Sequence, residues 1–192
     1  MGSNDPLSIL QESLRDAPII WKGEYPYFIH PISDGIPRMD PEVLRATRDL
    51  IVSSVDWSKV DLIVTVEAMG LPLLAAVGDA TGKPTVVIRK RSYGMEGETR
   101  VDVATGYSQS TVYINDIKPG ERIVIVDDVI STGGTLEPLI QKLEDMGVIL
   151  QDIVIAIEKG EGRERLNHEK PHWPIRSLAR IDIIDGKVEI VD

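Results

Sequence analysis

One stretch, residues 123–135, limits the folds open to this chain more than any other. It reads Ile-Val-Ile-Val-Asp-Asp-Val-Ile-Ser-Thr-Gly-Gly-Thr, and a helical pattern follows it over residues 136–146. An apolar run of strand length therefore leads through two carboxylates and a turn of small residues into a helix. A strand and a helix joined in this way are typical of an α/β fold.

The turn in this stretch has the composition of an anion site. Backbone N–H groups around Ser131, Thr132, Gly133 and Gly134 are expected to face outward at a helix N-terminus, where unpaired donors and the helix dipole favour a phosphate monoester. The glycines let the phosphate approach the backbone closely. The hydroxyls of Ser131, Thr132 and Thr135 add neutral donors.

The acid pair, Asp127 and Asp128, precedes this turn. Neighbouring carboxylates repel and raise each other's pKa, and a ligand with two hydroxyl donors or a divalent cation would relieve that cost. A ribose diol with bound Mg²⁺ offers both, so the local chemistry favours a sugar with a 5-phosphate and a cis-diol. The alternative is that Asp128 or Ser131 only caps the helix while Asp127 is solvated.

Apolar, β-branched segments alternate with helical patterns along much of the chain. The predicted strands are residues 60–66, 85–88, 123–126 and 153–157, and the predicted helices are residues 7–15, 43–55, 71–80 and 136–146. This alternation predicts an α/β fold, a parallel twisted sheet flanked by helices. Asp40 is the expected N-cap of the second helix. Residues 94–113 indicate a mobile hairpin or lid, and residues 178–191, with Asp185-Gly186 at the turn, a second hairpin.

Bulk composition excludes several classes of protein. A chain of 192 residues fits one domain, and the absence of cysteine excludes disulfides, thiolate metal sites and a cysteine nucleophile and fits a cytoplasmic protein. The formal charge of −10 argues against sequence-independent nucleic-acid binding. No apolar run has the length of a membrane span, and residues 1–6 lack a signal-peptide pattern. His30, His168 and His172 have no metal-ligand spacing.

Residues 123–135 resemble the motif that binds 5-phosphoribosyl-1-pyrophosphate (PRPP) in the type I phosphoribosyltransferases. The resemblance covers residues 60–159 well. The sequence at 177–181, Ser-Leu-Ala-Arg-Ile, is similar to the tail of the xanthine enzymes and their regulatory relatives, and residues 25–41 are similar to the hood of the adenine- and xanthine-type members. Taken whole, the chain most resembles the archaeal hypoxanthine/guanine phosphoribosyltransferases.

The resemblance implies one phosphoribosyltransferase domain over residues 1–192, with a small hood from about 1–45 and 160–192, a core at about 46–159 and a flexible catalytic loop. It implies purine salvage, in which hypoxanthine or guanine reacts with PRPP to give IMP or GMP and pyrophosphate. It also implies Mg²⁺ as cofactor and a cytoplasmic homodimer with no nucleic-acid or membrane partner.

The same resemblance assigns roles to residues near the strand ends, where ligands bind in such sheets. The expected catalytic residues are Asp127, Asp128 and Arg89. The expected ribose and 5-phosphate site is Asp127, Asp128, Ser131, Thr132, Gly133, Gly134 and Thr135, with Mg²⁺ held through PRPP and indirectly by the two aspartates. The expected pyrophosphate site is Glu67, Ala68, Met69, Gly70, Arg89 and Lys90, where the family often has an unusual peptide bond. Residues Thr105-Gly106-Tyr107-Ser108 resemble the returning arm of the catalytic loop.

The expected purine site is Val129 and Lys159, with an aromatic wall left open among Tyr25, Tyr27, Phe28 and Trp173. Lysine is only a donor, so at the base pocket it suits a 6-oxopurine and leaves the 6-amino group of adenine facing another donor. The alternative is that Lys159 simply begins the charged loop 161–170. Ser131 stands where bacterial and eukaryotic hypoxanthine/guanine enzymes carry an aspartate, which leaves the proton acceptor unassigned and the choice of base open.

Three alternative functions fit parts of the pattern. An adenine-specific phosphoribosyltransferase would share every feature of the pattern except Lys159, whose donor does not suit the 6-amino group of adenine. A PRPP-sensing regulator would keep the acid pair and the glycine turn, but such regulators add a winged helix or a basic surface. A receiver domain also uses an acid pair on an α/β sheet, but places it after the first strand.

Overall fold

The structure, a computed structural model, describes residues 5–104 and 109–191. Its helices are α1 (Pro6–Arg15), α2 (Pro31–Asp34), α3 (Pro41–Ser54), α4 (Gly70–Thr81), α5 (Leu136–Asp145) and α6 (Gly162–Glu169), with a 3-10 turn at Trp57–Lys59. Its strands are β1 (Ile19–Lys22), β2 (Tyr25–Phe28), β3 (Leu62–Val66), β4 (Thr85–Ile88), β5 (Thr99–Ala104), β6 (Gln109–Ile114), β7 (Arg122–Ile130), β8 (Ile149–Lys159), β9 (Ile175–Ile184) and β10 (Lys187–Val191).

The central sheet has six strands in the described parts of the chain, in the order β10-β9-β8-β7-β3-β4. All neighbouring pairs are parallel except β9 and β10. β1 pairs with β2, and β5 with β6, as separate antiparallel hairpins. The predicted α/β fold with a mostly parallel sheet is therefore confirmed.

The side chains of β7 show how the sheet buries both of its faces. Ile123 and Ile125 pack into one core cluster with apolar residues of α5, while Val124 and Val126 pack into another with residues of α1, α3 and α4. All four side chains are fully buried. Successive strand residues point to opposite faces, so a strand covered on both sides must be apolar at every position.

Most predicted elements lie close to their predicted bounds. The Asp40 carboxylate accepts a hydrogen bond from the N–H of Glu42 at 2.8 Å, which confirms it as the N-cap of α3. β9 and β10 form the predicted C-terminal hairpin, and β9 also joins the central sheet beside β8. The predicted lid contains the β5–β6 hairpin. The segment Thr105-Gly106-Tyr107-Ser108 lies outside the described residues.

Two predictions of local structure were wrong. β7 continues beyond Val126 to Ile130, because Asp127, Val129 and Ile130 pair in parallel with β8, so the acid pair lies within the strand. The predicted charged loop at 161–170 contains α6, in which Leu166 is fully buried. One buried leucine in a polar segment is a weak helical signal.

The division into a hood and a core stays a prediction. β1, β2 and α2 lie outside the central sheet, whereas β9 and β10 belong to it. None of the described helices is long and apolar enough to cross a membrane.

Candidate active site

A cavity of about 360 Å³ opens at the carboxyl ends of β3 and β7. Its lining includes the whole turn at 131–135 together with Asp127, Val129 and Tyr25. β7 adds apolar surface through Ile130, and β3, β8 and α5 add more through Val66, Ile155, Leu136 and Leu139. This is the edge at which ligands bind in parallel α/β sheets.

The two carboxylates of the acid pair lie side by side in a partly buried position that disfavours their ionised forms. The N–H of Asp128 donates to Asp127 Oδ1 at 3.0 Å, and both side chains are half-buried. Burial raises the pKa of Asp127, and hydrogen bonds with Asp128 and, to a smaller extent, the nearby Lys90 ammonium only partly oppose this. Burial, and then the neighbouring charge of Asp127, raises the pKa of Asp128 well above its usual range, with a smaller contribution from Asp34. The pair therefore favours a ligand that supplies hydroxyl donors or positive charge.

The turn at 131–135 leads into α5 without a side-chain cap. Thr135 stands at the N-cap position, and among the described residues no side chain caps the start of the helix. This contradicts the alternative in which Asp128 or Ser131 caps the helix. The carbonyl of Gly134 accepts a hydrogen bond from the N–H of Ala104 at 3.1 Å, which joins the turn to the end of β5. Uncapped helix N–H groups beside a cavity suit an anion.

The loop after β3 gives a second helix start at the same edge of the sheet. The peptide bond between Glu67 and Ala68 is cis. α4 then begins at Gly70, with Met69 at the N-cap position and no side-chain cap. This loop therefore offers backbone donors to a second anionic group.

The carboxylate of Glu67 connects this loop to the residues that follow β4. Its Oε2 lies 3.0 Å from Arg89 Nε, and its Oε1 accepts a hydrogen bond from the N–H of Lys90. The backbone of Arg89 also exchanges hydrogen bonds with Tyr113 of β6, at 3.1 and 2.7 Å. Arg89 and Lys90 are thus brought beside the Glu67–Gly70 loop, as the resemblance predicts.

Lys159 is buried at the end of β8, with 8% of its surface exposed. Its Nζ donates to the carbonyl of Pro26 at 2.8 Å and lies 3.9 Å from the ring centroid of Tyr25. These contacts contradict the alternative in which Lys159 merely begins a solvated loop. They place a cation between the β1–β2 hairpin and the end of β8, in contact with the lining residue Tyr25, although Lys159 itself is not among the described lining residues of the cavity.

Of the four candidate aromatics, the structure places only Tyr25 in the described lining of the cavity. Tyr27 donates its hydroxyl to Asp34 at 2.6 Å, and Phe28 is buried in a core cluster. Trp173 is not in that lining: its ring is buried in the other core cluster, and its Nε1 donates to Glu144 at 2.9 Å.

One group of contacts at the site was missed by the sequence analysis. Gly162 and Arg165 of α6 hydrogen-bond to the carbonyls of Ser131 and Thr132. In the sequence, the only signal for these contacts is Gly162 itself, a glycine that lies a few residues after the predicted strand 153–157. No group of three or more candidate metal ligands of the His, Cys, Asp and Glu types occurs among the described residues.

Residues 38–177 match the family described as the phosphoribosyl transferase domain. The chain belongs to this family. Among curated phosphoribosyltransferases, it is 51% identical to the hypoxanthine/guanine phosphoribosyltransferase of Methanocaldococcus infernus, with 94% of this chain and 98% of the relative covered. It is 48% identical to the enzyme of the same name from Methanobrevibacter ruminantium, with 95% and 96% covered.

Solved phosphoribosyltransferase structures show the same fold. The adenine phosphoribosyltransferase of Thermoanaerobacter pseudethanolicus superposes with a TM-score of 0.74 at 23% identity, covering 91% of this chain and 99% of that one. The adenine phosphoribosyltransferase of Saccharomyces cerevisiae superposes with a TM-score of 0.73 at 22% identity, with 90% and 98% covered. At this identity the similarity establishes the fold alone.

Proposed function

We propose that this phosphoribosyltransferase transfers the 5-phosphoribosyl group of PRPP to hypoxanthine or guanine, giving IMP or GMP and pyrophosphate. The observation that carries the proposal is the meeting of Asp127, one member of the acid pair, and the 131–135 turn in one cavity at the start of α5. The names of the archaeal relatives, at about half identity over nearly the whole chain, support the same activity.

In this proposal each part of PRPP meets the group that suits its charge. Asp127 and Asp128 accept hydrogen bonds from the ribose hydroxyls, and the 131–135 turn binds the 5-phosphate. The Glu67–Gly70 loop, Arg89 and Lys90 bind the pyrophosphate. The C1–oxygen bond lengthens, positive charge develops on the ribose, and N9 of the base attacks the opposite face of C1. The protein contributes mostly positioning and electrostatic stabilisation.

The acid pair also fits a magnesium ion carried by PRPP. Two half-buried carboxylates with raised pKa values gain from a nearby cation, and oxygen ligands are those that Mg²⁺ prefers. When bound, Mg²⁺ would neutralise charge on the pyrophosphate. In our proposal Asp127 and Asp128 hold it indirectly, through PRPP.

We further propose a cytoplasmic homodimer. Trp21 of β1 exposes 62% of its surface in the single chain, and tryptophan is enriched at protein–protein interfaces. Light scattering of the purified protein measures the mass directly. A monomer at micromolar concentration would contradict this part of the proposal.

The test of the activity is pyrophosphate release with Mg²⁺ and PRPP, with hypoxanthine, guanine, xanthine and adenine offered separately. We expect turnover with hypoxanthine and guanine. Turnover with adenine alone would be consistent with the mechanism but would contradict the assignment of hypoxanthine and guanine as the substrates. Measurable PRPP binding without turnover of any base would indicate a PRPP sensor.

Replacement of Lys159 tests the base pocket. In Lys159→Ala we expect kcat/KM for hypoxanthine to fall about 100-fold more than kcat/KM for adenine. The reason is that the 6-oxo group of hypoxanthine loses its hydrogen-bond donor, the lysine ammonium. Steady-state kinetics with both bases give this ratio. Lys170→Ala is the control, since Lys170 also lies near an aromatic ring, that of Trp173 at 5.6 Å, but Trp173 is not among the described lining residues of the cavity, whereas Tyr25 is. Equal losses for both bases in Lys159→Ala would assign Lys159 a structural role only.

A further inference from the structure

α6 contacts the phosphate-binding turn, residues 131–135, through side chains and amides that are not in the described cavity lining. The N–H of Gly162 donates to the carbonyl of Ser131 at 2.9 Å, and Nη2 of Arg165 donates to the carbonyl of Thr132 at 3.2 Å. Leu166, fully buried, packs against Gly133. Two successive carbonyls of the turn are thus drawn towards α6.

The direction of these carbonyls fixes the direction of the N–H groups that follow them. In a planar trans peptide the C=O and N–H bonds point in opposite directions. Because the carbonyls of Ser131 and Thr132 point at α6, the N–H groups of Thr132 and Gly133 point away from it. Thr132 and Gly133 line the cavity. The contacts with α6 therefore aim backbone donors at the place where a phosphate would bind.

Gly162 allows this contact because it has no side chain. A Cβ at this position would lie 2.2 Å from the carbonyl oxygen of Ser131 and 2.7 Å from the carbonyl carbon of Thr132. Since real Cβ atoms do not approach backbone atoms so closely, any other residue must push the turn or α6 out of place.

Arg165 is itself held in place by two carboxylates. Its Nη2 also donates to Glu137 at 2.8 Å, and its Nη1 donates to Glu169 at 2.7 Å. The planar guanidinium therefore joins the first turn of α5, the 131–135 turn and α6 in one fixed geometry. The ion pairs are partly exposed, and exposed pairs contribute little to stability, so the effect of Arg165 is on position.

The end of β8 anchors α6 as it places Lys159. The carboxylate of Glu158 is fully buried, and its Oε2 accepts hydrogen bonds from Arg163 Nε and Ser177 Oγ, both at 2.5 Å. The next residue, Lys159, contacts the β1–β2 hairpin. The end of β8 therefore anchors α6, which contacts the phosphate-binding turn, and also positions Lys159, the cation that we assign to the base.

We infer that Gly162 and Arg165 are positioning residues that set the peptide orientation of the phosphate-binding turn and thereby the affinity for the 5-phosphate of PRPP. The inference rests on the proposed function, because it takes the 131–135 turn as the phosphate site. In this inference the contacts between α6 and the turn affect the binding of PRPP and leave the binding of the purine base unchanged.

The decisive variant is Arg165→Met, which keeps the aliphatic stem and removes the guanidinium. We expect KM for PRPP to rise about tenfold while kcat and KM for the base stay within about twofold, because the lost geometry affects binding of one substrate. Calorimetry with ribose 5-phosphate, which lacks the pyrophosphate, should show a similar loss of affinity. Arg165→Lys, which restores a donor near Thr132, should recover part of it.

Glu169→Gln is the matched control. It removes the charge at residue 169, but the amide oxygen can still accept the hydrogen bond from Arg165 Nη1, and Glu137 still holds Nη2, so Arg165 keeps its contact with Thr132 and KM for PRPP is expected to stay at the wild-type value. Gly162→Ala tests the same inference without changing a charge, and we expect it to weaken ribose 5-phosphate binding. If Gly162→Ala does not fold, Arg165→Met decides alone.

The outcomes separate this inference from the proposed function. If the wild-type protein turns over PRPP and Arg165→Met binds ribose 5-phosphate with wild-type affinity, the inference is overturned and the proposed function stands. Equal rises in KM for PRPP and for the base would also overturn it, since general loosening has that signature. A wild-type protein that binds neither PRPP nor ribose 5-phosphate would overturn the proposed function and the inference together.

Discussion

We expect Asp128→Asn to lower kcat/KM for PRPP by about 10³-fold and, at neutral pH, to raise the melting temperature of the unliganded protein. The loss of activity follows because an amide cannot replace a carboxylate that accepts ribose hydroxyls beside a cation. The gain in stability follows because burial and the charge of Asp127 disfavour an ionised Asp128, as its raised pKa shows. A gain in stability with a loss of activity marks a functional group.

The pH dependence of this gain has a definite sign. A carboxyl whose pKa is higher in the folded than in the unfolded protein contributes stability below its unfolded pKa, and this contribution is lost as pH rises through the folded value. The difference in melting temperature between Asp128→Asn and wild type should therefore be small near pH 4 and grow as pH rises. KM for PRPP in the wild-type enzyme should rise as pH falls through the same range, since the acid pair becomes protonated.

Calorimetric melting at several pH values, with kinetics at each, measures both effects. Asp61→Asn is the opposite-sign control, because hydrogen bonds from Arg122 hold the pKa of Asp61 far below its usual range. That variant should lose stability at neutral pH and keep its activity. If Asp128→Asn retains full turnover, the assignment of Asp128 to the ribose is wrong. If the variant is less stable than wild type at pH 7, the folded protein does not disfavour an ionised Asp128.

Local patterns in the sequence predicted the order of strands and helices because each depends on nearby residues. The N-cap at Asp40, the strand Thr85–Ile88 and the C-terminal hairpin turn at Asp185-Gly186 are set by the side chains at those positions. The acid pair and the glycine turn were placed for the same reason. Such features need no knowledge of what packs against them.

Contacts between distant segments decided the parts that the sequence did not predict. The length of β7 depends on pairing with β8, and the placement of Tyr25 depends on Lys159, 134 residues further along the chain. Trp173 was a candidate for the purine wall because it is aromatic and follows the core, but burial against α5 removes it from the cavity. Pairing and burial of this kind are properties of the folded chain.

Gly70, the first residue of α4, lies where the site and the core meet. A Cβ there would lie 1.8 Å from Thr65 Oγ1 and 2.9 Å from Asp127 Oδ1. We expect Gly70→Ala to lower the free energy of unfolding by about 3 kcal/mol, because overpacking of a buried site forces a backbone shift. We also expect it to lower kcat/KM by about 100-fold, since a displacement of about 1 Å at a reacting group costs that much.

A compensating change separates these two effects. Thr65→Ala removes the hydroxyl that meets the new Cβ, so the double variant Thr65→Ala/Gly70→Ala should recover part of the lost stability, measured by urea unfolding. Its kcat/KM should remain low, because the contact with Asp127 persists. Gly78→Ala is the matched control in the same helix: its Cβ would lie 2.6 Å from Thr85 Cγ2, away from the cavity, so it should lose stability and keep kcat/KM. If Gly78→Ala loses as much activity as Gly70→Ala, the losses reflect general loosening of α4, and the close approach of Gly70 to Asp127 has no special role in catalysis.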